Sequence, residues 1–456
     1  MPPTRSGVAH YSSMLIPALQ KQIEVEVITD DRQPATGHRI YQLGNNPHHE
    51  WIYKEAMKNP GVIVLHDIVL HHLIVEMTLA RGDVEGYIAA LEANHGAAGA
   101  AWGRGRAAGL HSEMGNFLLP ASIDVANRSR AVIVHNRYSA DRLRDLGVRT
   151  PIHVVPHPYE PHEEAKSRRN EIRAKHGFTD EQRVIGLFGF LTSAKRSEVV
   201  LEAFAEARYA MPNLQLLVVG EAAPNIDLIA LGAEGVTFTG YVSDEDFDAY
   251  FAAVDRLVNL RYPTAGETSG TLIRAFEAGK PVAVSDYAQF AELPDDCVAK
   301  IPFGDREVAE LADFFKRDLK DPAGPQQRWL KQKARMELTV AGYLAALQDS
   351  GLRTQDAGLR SSVPLFPKLE LVSRDATSIT IRNAGNETLR ARSYGEPGYH
   401  IVANGHWLDL PGDLKPGDSA TIDLPLELRG QPLDLFHAVQ GIPAVDPKAW
   451  VRVAVH

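Results

Sequence analysis

The sequence predicts three domains: two doubly wound α/β domains of Rossmann-like type, then a smaller all-β sandwich. Three observations predict this. The chain has 456 residues, about three times the roughly 150 expected of one domain. Short apolar runs alternate with helical patterns through two successive stretches, which implies parallel sheets. Beyond residue 365 the helical patterns stop, and short strand-like runs separated by turn signals take over.

Bulk properties narrow the function. The chain is 44% apolar and 23% charged, ordinary for a globular protein, and its net charge of −10 argues against a dedicated nucleic-acid binder. A single cysteine, Cys297, allows no intrachain disulfide and fits a reducing compartment. The start, MPPTRSGVAHYS, has no apolar core of a signal peptide. The most apolar stretch, Val62 to Leu79, is interrupted by His66, Asp67, His71, His72 and Glu76, so no membrane span is expected. These features point to the cytoplasm and leave peripheral membrane contact open.

The first domain is expected over residues 1–157. A Gly loop, Arg5-Ser6-Gly7-Val8, opens a helix in which Tyr11, Met14, Leu15 and Leu19 share a face. Such a loop normally follows a strand. Only four residues precede this one, so the strand is supplied differently or the polypeptide begins upstream. Strands are expected at Ile23 to Thr29, His38 to Leu43 and Gly61 to Leu65. Helix follows over 68–130, with Gly96 to Gly109 (GAAGAAWGRGRAAG) as a flexible small-residue stretch. Strand Ala131 to Val134 ends in His135-Asn136-Arg137, and another lies at Ile152 to Val155. Pro156, Pro158 and Pro161, with the charged run Glu163 to Lys175, mark the boundary.

The second domain, 158–347, repeats the alternation. Strand Val184 to Phe188 leads through the loop Gly189 to Arg196 into helix Ser197 to Tyr209, then strands Leu214 to Val219 and Val236 to Phe238. Ser243 with Asp246 starts a helix as a capping-box-like pair. Strand Arg256 to Leu260 opens into Arg261 to Asp286, a polar loop and helix leading to strand Pro281 to Ser285. Strand Val298 to Ile301 and a long helix, Gln326 to Leu347, complete the domain. Ligands of open α/β sheets sit beyond the carboxyl ends of the strands, which puts Glu267 to Thr271 where the chemistry belongs. A polar linker, 348–364, precedes the β domain at 365–456. There Leu369 to Val372, Ser378 to Arg382, His400 to Ala403, Ala420 to Leu424 and Trp450 to Val455 read as strands, separated by turns at Asn383-Ala384-Gly385, Asn404-Gly405 and Lys415-Pro416-Gly417.

Six segments in order carry a family likeness: Arg5-Ser6-Gly7, Val64-Leu65-His66-Asp67, Val134-His135-Asn136-Arg137, Gly189 to Arg196, Gly240-Tyr241-Val242 and Gly266 to Pro281. Over roughly residues 1 to 345 the chain resembles GT-B glycosyltransferases, more narrowly the family-four retaining enzymes that use nucleotide-diphosphate sugars. The resemblance implies the diphosphate-binding lysine at Lys195, six residues after Gly189, against the plainer reading of a solvated lysine. It also expects an arginine directly after that glycine, where this chain has Phe190. Arg196, Arg261 and Arg274 are then the candidates for a second cation.

Members often carry two glutamates with seven residues between them. Eight positions beyond Glu267 stands Ala275, so Glu267 is the expected functional carboxylate and Glu277 stays open, with a helical Arg274 and Glu277 pair as its plainer reading. Ser269, Gly270 and Thr271 suit a phosphate at a helix start or form an ordinary N-cap. Gly240, Tyr241 and Val242 would present backbone to a nucleobase or are a strand exit. Gly7 would admit the diphosphate or is a tight turn. His66, at a strand end beside Asp67, is expected to contact the donor sugar. Arg137 reaches acceptor or phosphate or belongs to a helix cap.

The resemblance thus implies catalytic His66, Lys195 and Glu267, and retention at the anomeric carbon. The donor would be a UDP- or GDP-sugar co-substrate, with no cofactor. The acceptor would be a carbohydrate, a lipid-linked glycan or a protein. No metal is expected, since no Asp-x-Asp is placed at a convincing strand end, and His48, His49, His71 and His72 lack cysteine or second-shell support for zinc. Two alternatives stay open: a non-catalytic nucleotide-sugar or carbohydrate binder on the same scaffold, and a nucleotide-sugar epimerase.

Overall fold

The protein was analysed as a computed structural model. The structure describes residues 7–29, 37–110, 113–161, 167–223, 233–351, 369–383, 399–403, 406–411, 414–415, 417–429, 434–439 and 453–454. Arg5, Ser6, residues 352–364 of the linker, Trp450 and the turn pairs Ala384-Gly385 and Asn404-Gly405 lie outside them.

The first domain is built on four parallel strands, β1 (Ile40–Leu43), β2 (Val62–Leu65), β3 (Ala131–Val134) and β4 (Ile152–Val154), in sequential order β1-β2-β3-β4. Among the described residues this parallel sheet keeps sequential strand order. Residues 24–29 are irregular: their alternating pattern finds no ladder partner, though Ile23 is buried in the core. Both faces of the sheet are covered. Helix α1 (Gly7–Gln20) packs Tyr11, Leu15 and Leu19 onto Val62, Val64, Ala131 and Ile133. Helices α2 (Glu50–Lys58), α3 (His71–Met77), α4 (Val84–Ala107), α5 (Glu113–Leu118), α6 (Ile123–Arg128) and α7 (Arg137–Asp145) follow in the chain, and all but α5 line the opposite core with Ile63, Leu65, Val132 and Val134.

The stretch expected to be flexible is helix. Gly96, at φ 63° and ψ −151°, breaks α4 and folds its second arm back on its first. A Cβ on Gly99 would lie 2.2 Å from the Leu91 carbonyl oxygen, and one on Gly103 would lie 3.2 Å from the Ile88 Cα. The small residues are therefore an interface between two arms.

The second domain carries six parallel strands: β5 (Arg183–Phe188), β6 (Leu214–Val219), β7 (Val236–Phe238), β8 (Arg256–Asn259), β9 (Val282–Ser285) and β10 (Ala299–Ile301). Their order, β10-β9-β8-β5-β6-β7, reverses between β5 and β8. That reversal is the switch point at which such sheets open a crevice. One face is covered by α9 (Ser197–Ala210) and α12 (Glu307–Lys316). The other is covered by α8 (Arg169–Lys175), α10 (Asp244–Ala253), α11 (Gly270–Glu277) and α13 (Ala323–Lys333). Part of the charged run read as a boundary is thus α8, whose Arg173 is buried and paired with Asp255 at 3.3 Å.

The expected single helix to Leu347 is two. It breaks at Arg335, which is extended, before α14 (Met336–Asp349). The break has a packing reason: Leu330 and Ala334 belong to the second domain's core, whereas Val340, Tyr343 and Leu347 lie on the first sheet. No straight helix could serve both.

Among the described residues the tail has two antiparallel sheets. One is β11 (Leu369–Arg374), β12 (Ser378–Asn383) and β15 (Ser419–Asp423); the other is β14 (His406–Asp409), β13 (Tyr399–Ala403), β16 (Asp434–Val439) and β17 (Val453–Ala454). Strands β14 and β16 were not expected from the sequence. Among the described residues no helix is long and apolar enough to cross a membrane.

Helix α14 touches the first domain without slack. A Cβ on Gly342 would stand 2.6 Å from Val155 Cγ2. Gly342→Val is expected to destabilise the chain by about 1–3 kcal/mol through overpacking, read as a lowered midpoint of thermal or urea unfolding. An unchanged midpoint would mean that the contact yields freely.

Candidate functional site

The loop that follows β8 is held by both domains. Glu267 is fixed at both oxygens: Oε1 accepts from Arg261 Nε at 3.0 Å, and Oε2 accepts from the Thr264 hydroxyl and the Ala265 amide, each at 3.0 Å. Gln289 braces the same turn, donating to the Glu267 carbonyl at 3.0 Å. Across the cleft, the Ile68 amide donates to the Ala265 carbonyl at 2.8 Å. The Gly266 carbonyl accepts from Asn136 Nδ2 at 2.8 Å and Ser139 Oγ at 2.9 Å. Gly266 sits at φ 77°, and a Cβ there would lie 2.5 Å from Ser139 Oγ, so only glycine fits.

Lys195 stands beside this turn at the end of a short 3-10 helix between β5 and α9. It is 7% exposed, which sets aside the solvated reading, and its ammonium donates to the Phe188 carbonyl at 2.5 Å. Burial, with the Arg261 charge nearby, pushes its pKa well below the usual lysine range, and Glu267 offsets part of that. Lys195, Arg261 and Glu267 are therefore one electrostatic unit.

The three candidate arginines separate. Arg261 stays in the unit. Arg196 turns to the buried carboxylate of Glu307, with Nε 3.1 Å from Oε1, and its guanidinium lies 5.1 Å from the Phe303 ring centre. Arg274 pairs with Asp248 at 3.0 Å, contacts His10 at 3.2 Å and covers the Phe247 ring. It thus bridges α11 to α1, and Asp248 is its carboxylate partner. Glu277 is buried on the inner face of α11. Phe190 is 54% exposed at the position where the resemblance expects arginine.

Ser269 is the N-cap of α11. Its hydroxyl accepts from the Leu272 amide at 3.3 Å and donates to Asn259 Oδ1 at 3.0 Å. The capping reading describes this side chain, and the amides of Gly270 and Thr271 remain the helix's leading donors. The Thr271 hydroxyl lies 3.9 Å from the position a Gly189 Cβ would take. Gly240 follows β7, and its carbonyl accepts from the Gly220 amide at 3.0 Å, so the ends of β6 and β7 are joined. Tyr241 is 46% exposed and Val242 packs against the core. Gly7 is exposed at the start of α1, with nothing within 4 Å of a Cβ there.

In the first domain, Asn136 caps α7 through the Ser139 amide at 2.8 Å while holding Gly266, so the corner including Arg137 serves as a helix cap. The amides of Arg137 and Tyr138 donate to Glu292. His66 ends β2, and both its nitrogens have protein partners: Nε2 lies 2.7 Å from the Gln42 side-chain amide and Nδ1 3.3 Å from His135 Nε2. His71 is a core residue between the Leu119 carbonyl and the Tyr87 hydroxyl, His49 contacts the Gln42 carbonyl, and His72 is paired with Glu76 at the surface. Asp67 accepts from the Asn45 amide at 2.9 Å, and burial together with the charge of Glu267 raises its carboxyl to about 7. Sequence reasoning missed Gln42, Asn136 as the domain tie, and Thr264, since none stands in a local pattern that announces its partner.

A raised folded pKa makes protonated Asp67 favourable to folding. That contribution is fully present below the ordinary value of 3.8 and is lost as pH rises through about 7. Asp67→Asn is therefore expected to leave the melting temperature near wild type at pH 4 and to raise it above wild type at pH 8. Parallel pH profiles for the two proteins would refute the coupling.

Residues 182–321 match the family described as Glycosyl transferases group 1. A 2-deoxystreptamine glucosyltransferase from Streptomyces kanamyceticus is 31% identical over 180 residues, which is 38% of this chain and 46% of that protein. The chain thus spans under half the length of this curated relative. Among solved structures, Anabaena HepE in complex with UDP-glucose is 16% identical, with a TM-score of 0.45 over 68% of this chain and 99% of that one. The sucrose-phosphate synthase of Thermosynechococcus elongatus is also 16% identical, with a TM-score of 0.45 over 69% and 74% of the two chains. Residues 182–321, which form most of the second α/β unit, are thus similar to the glycosyl transferases group 1 family, and a first parallel α/β unit precedes them in the chain.

Proposed function

We propose that the chain transfers a sugar from a nucleoside diphosphate donor, UDP- or GDP-linked, to an acceptor hydroxyl with retention at the anomeric carbon. The observation that carries this reading is the buried ammonium of Lys195, set beside Arg261 and Glu267 at the switch point of a group 1 domain. An ammonium whose charged form is disfavoured by burial and a neighbouring cation is matched by an arriving dianion, which favours that charged form.

Departure of the nucleoside diphosphate builds negative charge on the β-phosphate. Lys195, Arg261 and the Gly270 and Thr271 amides at the start of α11 would stabilise it electrostatically, and two cations at this point supply the charge that a metal supplies elsewhere. Glu267, fixed at both oxygens, would orient the donor sugar. Asp67 faces it from the first domain, and His66 would border the sugar through its ring edge, since its nitrogens are engaged. Tyr241 and Val242 would flank the base. The acceptor, a carbohydrate, lipid-linked glycan or protein, would enter from the first domain. The similarity to a 2-deoxystreptamine glucosyltransferase supports the class of reaction.

The exposed Phe190 in place of a cation favours a second reading, a binding protein that holds the donor without turnover. A donor screen separates the two. Nucleoside diphosphate release from UDP- and GDP-sugars, followed across a panel of sugar acceptors, is expected with one donor and to fall about 10²–10³-fold in Lys195→Ala. Glu267→Ala should fall comparably. Donor binding without release for every acceptor would favour the binding protein, and isomerised donor without acceptor would favour an epimerase.

A further inference from the structure

Beyond the ends of β8, β9 and β10 runs a row of aromatic rings that the sugar-transfer scheme leaves unused. Phe303 follows β10 and stacks on Tyr262, which follows β8, with ring centres 3.8 Å apart and planes inclined by 25°. Tyr262 meets Tyr287, after β9, edge to face at 5.5 Å. Tyr287 lies 6.5 Å from Tyr138, at the start of α7 in the first domain. The Tyr138 phenol stands within range of the Glu267 turn: burial and Tyr287 raise it to about 12, and the Glu267 charge adds to the rise. The row thus leads from the edge of the second sheet to the carboxylate that would orient the donor sugar.

The outer end of the row is open. Phe303 is 48% exposed, with Tyr262 on one of its faces. The Arg196 guanidinium lies 5.1 Å from the Phe303 ring centre and 5.9 Å from that of Tyr262. With 3.8 Å between the rings, these separations form a nearly right-angled triangle at Phe303, so the arginine stands at the edge of the stack. The outer face of Phe303 therefore meets neither group. Its support is fixed: Arg196 holds a left-handed φ of 57°, which residues with a Cβ rarely adopt, and its Nε donates to the buried Glu307 at 3.1 Å. A ring held from behind and from the side loses little freedom when a ligand settles on it.

An aromatic face rimmed by phenol hydroxyls and a paired guanidinium suits a pyranose. The C–H face of such a sugar packs on the electron-rich face of the ring, while its hydroxyls reach the polar rim. A lipid chain gains little from a single ring face. A nucleobase would also stack, but the order β10-β9-β8-β5-β6-β7 puts Phe303 at one edge of the sheet and Tyr241, which would flank the base, at the other. A donor laid from Tyr241 over Lys195 to Glu267 points its sugar toward the aromatic row. We propose that Phe303, backed by Tyr262 and braced by Arg196, is the stacking face of the acceptor subsite, and that the acceptor it takes is a carbohydrate ring. That the bound sugar is an acceptor rests on the sugar-transfer reading above; that a sugar binds at Phe303 does not.

The test presents the full chain, with UDP or GDP, to methyl glucosides, N-acetylglucosamine, maltose and cellobiose, and reads binding by saturation-transfer NMR. Saturation is expected on the ring C–H protons of at least one sugar, with its dissociation constant raised at least about tenfold in Phe303→Ala and restored in Phe303→Tyr. Phe303→Leu, which keeps the apolar bulk and loses the ring, should behave like Phe303→Ala. No saturation in any sugar, or equal affinity in wild type and Phe303→Ala, would overturn the proposal. Weaker binding of UDP or GDP in Phe303→Ala, with sugar affinity unchanged, would make the ring a nucleotide contact and overturn it as well. With an active donor, the same substitution should raise the acceptor KM at least about tenfold and leave the donor KM in place. Sugar binding at Phe303 without turnover of any donor would remove the sugar-transfer reading and leave the carbohydrate site standing.

Discussion

Two backbone carbonyls, Ala265 and Gly266, join the halves of this protein. They lie in the turn that also carries Glu267, and their donors, Ile68, Asn136 and Ser139, all come from strand ends or helix starts of the first domain. Backbone carbonyls withdrawn from water need partners, so the turn has this shape only while the first domain supplies them. Glycine at 266 is a consequence: its φ of 77° and the space taken by Ser139 and Ile68 leave no room for a side chain. The geometry of the carboxylate is therefore a property of the assembled pair of domains.

Charge is distributed around that turn by the same economy. Each nearby arginine has a carboxylate: Arg196 has Glu307, Arg261 has Glu267 and Arg274 has Asp248. Lys195 differs, for its ammonium donates to a carbonyl, that of Phe188. It is also the one whose charge is most disfavoured by its surroundings. Opposite it, Asp67 resists ionisation because Glu267 is near. The cleft thus holds a lysine and a carboxyl whose charged forms are both disfavoured by burial, a pattern that clusters at functional sites.

What could be read from the sequence follows the range of the interaction. Lys195, Glu267 and the start of α11 were legible because strand, polar loop and helix stand next to one another in the chain. The parallel order in the second domain followed from alternation alone. Ile23 to Thr29 misled because alternation announces a strand without supplying a neighbour to pair with. The stretch 96–109 misled in the opposite sense: its glycines and alanines signal close contact as well as looseness, and here they let two helical arms touch. Gln42 and Tyr343 were beyond reach, since each is ordinary in its own segment and meaningful only through a distant residue; Asn136 stood in a legible corner, but its tie to Gly266, 130 positions away, did not show.

Helix α14 shows why such distant ties matter. It follows the second domain in sequence and packs on the first sheet, burying Val340, Tyr343 and Leu347 against α1 and β3. A helix held only by apolar contact could slide by a fraction of a turn at modest cost, because that attraction is non-directional. The Tyr343 hydroxyl removes the freedom, for it must meet both Tyr11 and Gln42. Through Gln42 the register of α14 reaches His66, and from there the Ile68 amide that meets Ala265. The chain therefore returns to its own first domain to set the position of the turn on which its second domain's carboxylate depends.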